Sequence, residues 1–150
     1  MSQKVAVLAV ASALMLGSAV RPADAGQEAD KPVLTLDGPT ALITVLIKPD
    51  KTAEFESVLA KVKEALGKSE KAERKEQAAG WTVFKANQAV NGNTAYIMII
   101  NPVVKGQEYD ITRLISEVFP TEVQEFFQKY KDSFAGRGIT PLTKLMSMGQ

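Results

Sequence analysis

The 150-residue chain contains neither cysteine nor histidine. The first absence removes a disulfide framework, thiolate metal ligands, a cysteine nucleophile and the lipid-bearing cysteine of a lipoprotein anchor. The second removes imidazole, the usual acid/base group near neutral pH and the commonest metal ligand. No excess of either charge is present: 18 Lys and Arg stand against 17 Asp and Glu. Nucleic-acid affinity needs several uncompensated cations on one surface, so no nucleic-acid partner is implied. No serine lies in a G-x-S-x-G setting, which argues against a serine hydrolase. The acidic pairs Glu54/Glu56, Glu73/Glu76 and Glu122/Glu125 lack calcium-loop spacing and fall on expected helix surfaces, so neither a metal site nor a cofactor is implied.

What is present begins with an N-terminal pattern. Lys4 precedes the uncharged apolar run 5–20, and Ala23-Asp24-Ala25 follows with small residues where a signal peptidase reads. The run is shorter than the roughly 20 residues that span a bilayer. Residues 1–25 therefore read as a cleavable signal peptide, giving an exported protein, periplasmic or secreted, with no membrane attachment after cleavage. Cleavage removes Lys4, Arg21 and Asp24, leaving sixteen basic and sixteen acidic side chains. Residues 26–40, with two prolines and two glycines, read as a flexible lead-in in which 33–36 is an optional edge strand. Residues 41–150 suit one domain.

Within that domain, 41–48 (ALITVLIK) is a nearly continuous apolar, β-branched run, expected as a strand buried on both faces. Asp50 is a candidate cap for a helix whose stripe is Phe55, Val58, Leu59, Val62 and Leu66, with Gly67 as its stop. The charged run 68–77 reads as a solvated helical extension or loop. Asn91-Gly92 predicts a type I′ hairpin between 81–90 and 94–100. Asp110 opens a second helix on Ile111, Leu114, Ile115 and Val118, and Pro120 breaks it. Thr121 and Gln124 form a capping box that restarts it on Val123, Phe126, Phe127, Tyr130 and Phe134, ended by Gly136 and Gly138. A last strand is expected over 139–148, at an edge because it contains Pro141.

The order β-α-β-β-α-β is that of an α+β, ferredoxin-like fold, a four-stranded antiparallel sheet with helices on one face. Its first and third strands are central, which agrees with their being the most apolar. In element order, apolar central strands and broken second helix, the chain resembles the dimeric α/β-barrel superfamily. That resemblance implies a homodimer pairing open sheet faces around a cavity, and activities ranging from cofactor-free monooxygenases and isomerases to non-catalytic binding proteins. Haem-degrading members are not matched, because no histidine is available to hold iron.

A two-residue hairpin loop sets Asn87 opposite Tyr96, Lys85 opposite Met98 and Val83 opposite Ile100. One face then carries Phe84, Ala86, Ile97 and Ile99, expected against the helices. The other carries Trp81, Val83, Lys85, Asn87, Tyr96, Met98 and Ile100, and is the expected cavity lining, with Trp81, Lys85, Asn87, Tyr96 and Met98 as ligand-binding candidates. Each also has a plainer role: Trp81 and Tyr96 as interface packing, Lys85 as a charge that blunts a sheet edge, Asn87 as an amide near a turn. The preferred function is a homodimer that binds a small apolar or aromatic molecule, or simply buries that face for assembly. The alternative is a cofactor-independent monooxygenase or isomerase using Tyr96, Asn87, Trp81 and Lys85.

Overall fold

The computed structural model describes residues 31–149. The expected signal peptide and the first part of the lead-in lie outside the described residues. Among the described residues no helix is long and apolar enough to cross a membrane.

Strand β1 (Thr40–Ile47) leads through a short 3₁₀ turn (Pro49–Lys51) into α1 (Thr52–Lys68) and α2 (Ala72–Gly80). Strands β2 (Trp81–Lys85) and β3 (Thr94–Ile100) follow, then α3 (Ile111–Val118), α4 (Val123–Ser133) and β4 (Phe134–Leu142). The strands form one sheet in the order β2-β3-β1-β4, antiparallel throughout. The architecture is thus α+β, a four-stranded antiparallel sheet with four helices, compatible with a ferredoxin-like arrangement. The two most apolar strands, β1 and β3, occupy the centre, and Pro141 lies on the edge strand β4, where a missing N–H is tolerated.

Alternation in β1 sends Ala41, Ile43, Val45 and Ile47 into the core and leaves Leu42, Thr44 and Leu46 partly exposed on the opposite side. The core closes over that inner row with Phe55, Val58 and Val62 of α1, Leu114 and Ile115 of α3, and Phe126 of α4. Burial of this apolar layer stabilises the fold by roughly 25 cal/mol per Å² of surface removed from water.

Local signals fared unevenly. Asp110 caps α3 as expected, accepting from the backbone N–H groups of Thr112 and Arg113 at 3.0 Å each. Asp50 caps nothing, because the 3₁₀ turn intervenes before α1 and no side chain closes its N-terminus. The capping box of Thr121 and Gln124 is also not made: Glu122 is the residue before α4, without a side-chain cap bond. The chain leaves α4 at Phe134, where the backbone is extended (φ −68°, ψ 130°) and pairing with β1 begins, so Gly136 and Gly138 lie inside β4 rather than ending a helix. The last strand therefore starts five residues earlier than 139 and stops at Leu142, leaving 143–149 outside the sheet.

The optional strand at 33–36 does not form. Glu108 instead accepts from the N–H groups of Val33 at 2.6 Å and Leu34 at 2.9 Å, and Tyr109 N–H donates to the Leu34 carbonyl at 2.8 Å. A buried carboxylate thus substitutes for a strand partner.

Candidate functional site

The hairpin turns at Asn91 and Gly92, both with positive φ (51° and 76°), and Val90 bridges Asn93 as a type I′ turn requires. Deeper in the ladder the register is different: Lys85 faces Tyr96, Val83 faces Met98 and Trp81 faces Ile100. Residues 86–89 thus oppose only Thr94 and Ala95, and the surplus pair displaces Asn87 from the strand into an exposed loop. The expected pairings of Asn87 with Tyr96, Lys85 with Met98 and Val83 with Ile100 are each off by two. Because side chains alternate with period two, an even slip leaves the membership of each face unchanged.

The side on which each face lies is the reverse of expectation. Tyr96 and Met98 are only 2% and 3% exposed and point to the helices, while Phe84 is 51% exposed on the opposite side. The Tyr96 ring meets Phe55 of α1 edge-on at 4.8 Å between centroids. The physical reason is volume. Tyr96, Met98 and Trp81 are long enough to fill the gap to the helix layer, and the polar ends of Tyr96 and Lys85 emerge at its margin, where α1 supplies a partner.

That partner is Glu56. One of its carboxylate oxygens accepts from the Tyr96 hydroxyl at 2.7 Å and from the Lys85 ammonium at 2.8 Å. The Lys85 and then the Tyr96 hydrogen bond hold the Glu56 carboxyl below its ordinary range. Burial, reinforced by Glu56, pushes the Tyr96 hydroxyl up, so it stays protonated and acts as a donor. Three sequence candidates are therefore separated by function: Tyr96 and Lys85 share a carboxylate, and Asn87 joins neither.

Trp81 and Met98 do come together. Gly80 places Trp81 by close backbone contact: a Cβ there would lie 2.9 Å from the Pro102 carbonyl oxygen, and the Asn101 N–H bonds the Gly80 carbonyl at 2.8 Å. The indole packs on Tyr109 at 5.6 Å. It stands between two hollows. The inner one, about 20 Å³ and also bounded by Met98, Phe55, Tyr109, Tyr130 and Arg137, has room for about one water molecule. The outer one is a groove of about 460 Å³ between α1, the end of α2 and β2, walled by Leu59, Val62, Leu66, Ala78 and Val83. The indole Nε1 is buried and has no hydrogen-bond partner among the described residues.

The uncovered side of the sheet is continuous across all four strands. Register places Thr82 and Phe84, Ile97 and Ile99, Thr40, Leu42, Thr44 and Leu46, and Gly136, Gly138, Thr140 and Leu142 on it, while Ala95 on the same side is buried at 2% exposure. None of these side chains is charged, and no described helix packs on them. Gly136 and Gly138 put no side chain on this face opposite Leu46 and Thr44.

Sequence reasoning passed over one buried ionic cluster. Arg74 in α2, 5% exposed, donates to both carboxylate oxygens of Glu117 at 3.2 and 2.9 Å and to the Gln77 side-chain oxygen at 2.7 Å. Gln77 in turn donates to the Glu108 carbonyl at 2.8 Å. Burial pushes the Glu117 carboxyl up, but Arg74, Lys71 and Ser69 together bring it down to about 2. Every group is partnered, so the cluster fastens α2 to α3 and corrects the reading of 68–77 as wholly solvated. Among the described residues no three metal-ligating side chains converge.

Fold and site together define an α+β domain with a half-covered antiparallel sheet. Comparison with protein-family models, with curated proteins and with solved structures found no match for the chain.

Proposed function

We propose that the protein works after export as a homodimer, two ferredoxin-like βαββαβ domains pairing their uncovered sheet faces as in a dimeric α/β barrel, with a small apolar or aromatic molecule held between the sheets. The observation that carries this reading is the uncharged four-stranded face. Its central residues Leu42, Leu46, Ile97 and Ile99 are apolar, and exposing a contiguous apolar surface to water is unfavourable unless something covers it. A second copy of the same neutral face meets it without burying an unpaired charge. The strand order supports the ferredoxin-like topology. The glycines of β4 put no side chain on this face beside Thr44, which leaves space and a hydroxyl to orient a ligand between the sheets.

The cavity face in this reading is the Phe84, Ile97 and Ile99 side, not the Trp81, Tyr96 and Met98 side. An enzymatic role loses support from the same geometry, since the Tyr96 hydroxyl and Lys85 ammonium are both engaged by Glu56. Native mass spectrometry of protein expressed from the full chain tests the proposal. A dimer carrying a retained small molecule is the expected result, and an empty monomer at micromolar concentration overturns it.

A further inference from the structure

Residues 143–149 leave the sheet after Leu142 and carry three large apolar side chains into solvent: Leu145 is 88% exposed, Met146 61% and Met148 94%. The same chain has an apolar groove beside Trp81 at the opposite edge of its sheet. We infer that the 143–149 segment of one copy seats its apolar side chains in the Trp81 groove of the second copy. The inference rests on the homodimer proposed above and names how its edges are completed.

Direction and reach select this occupant. Pro141, Ala41, Ile100 and Trp81 lie in one row across the sheet, so the segment leaves β4 at the same end of the sheet where the groove opens beside β2. Pairing two faces about an axis parallel to the strands lays β4 of one copy over β2 of the other, with those ends together. Packed sheets are about 10 Å apart, so the segment has to pass round the partner's edge strand to its helix side. Six residues in extended form span about 20 Å, enough for that path. In its own chain the groove lies three strand spacings away, about 14 Å across the sheet before the turn round the edge.

Burial argues for the same contact. Pairing of the flat faces alone leaves the three apolar side chains of 143–149 and the groove beside Trp81 in water. Seating Leu145, Met146 and Met148 in the groove walled by Leu59, Val62, Leu66 and Val83 covers both.

Trp81, the only tryptophan, forms a wall of the groove and reports its occupancy. Protein expressed from the full chain is compared with the double variant Leu145→Asp, Met148→Asp, both at exposed positions outside the core, by sedimentation and tryptophan emission over a dilution series. The expected result is a parent dimer whose emission shifts to the red on dilution as it dissociates, and a variant that is red-shifted at every concentration with its dimer weakened about tenfold or more. Unchanged emission in a variant that remains a dimer overturns the inference and leaves the face-to-face dimer standing. A red shift in the variant that does not depend on concentration in the parent assigns the groove to the chain's own segment and also overturns it. A parent that is monomeric throughout removes both.

Discussion

Lys85 stands directly opposite Tyr96 across the β2–β3 pair, and the two side chains reach the same oxygen of Glu56, at 2.8 and 2.7 Å. The contact ties the edge strand and a central strand to α1, and it makes the tyrosine hydroxyl a structural donor rather than a reactive group.

Tyr96→Phe accordingly lowers stability by about 1 kcal/mol, the usual net loss of one hydrogen bond, without changing oligomeric state or ligand retention. Lys85→Ala costs less, under about 1 kcal/mol, because the Lys85–Glu56 pair is about half exposed and screened. Urea denaturation of the two variants measures the difference. A Tyr96→Phe protein of full stability that has lost its ligand contradicts this assignment.

Met98 and Ile97 are sequence neighbours on opposite faces. Met98→Ala opens a hole against the helix layer and costs about 2–5 kcal/mol. Ile97→Ala, on the uncovered face, costs about 1 kcal/mol or less in a monomer and shows its main effect on association. Chemical denaturation at concentrations on either side of the dimer dissociation range separates the two effects.

Gly80→Ala forces a Cβ to 2.9 Å from the Pro102 carbonyl oxygen, a backbone atom that has no side-chain freedom to yield. The expected loss is about 1–3 kcal/mol, with a changed Trp81 emission because the indole follows its own backbone. Thermal melts and fluorescence check both.

Glu117 gives the fold a pH dependence of known sign. Its folded value of about 2 lies below the ordinary 4.5, so its contribution is fully present above pH 4.5 and is lost as pH falls through about 2. With a carboxylate side chain 23% exposed, that contribution is about 2–3 kcal/mol. Glu117→Gln is less stable than the parent by that amount at pH 7, and the gap closes between pH 4.5 and 2. A gap that stays constant over that range rules the pairing out as its source.

Periodicity made the elements legible, and composition made β1 and β3 central. The hairpin tip was also readable, since Asn91-Gly92 is a local conformational signal. The register below it was not: nothing in 86–89 marks two surplus residues, whose placement depends on how β3 sits between β1 and β2. The choice of faces was hidden for a related reason. Both sides of the central strands are apolar, so the decision passed to side-chain length, and the polar ends of Tyr96 and Lys85 looked like cavity markers when they were anchors for Glu56. Gly136 and Gly138 carry the usual mark of a helix stop, yet pairing with β1 had already taken over at Phe134. The Arg74 clamp depends on Glu117, forty-three residues away, and no local pattern in a charged run distinguishes the one arginine that turns inward.

Sedimentation equilibrium of the parent, Ile97→Lys and Met98→Lys separates the two sheet faces, because the two lysines are sequence neighbours on opposite sides of β3. The expected result is a dimeric parent, a folded monomer for Ile97→Lys, and an unfolded or insoluble Met98→Lys. A dimer undisturbed by Ile97→Lys, or a parent that is monomeric at every concentration, would contradict the pairing of the uncovered sheet faces.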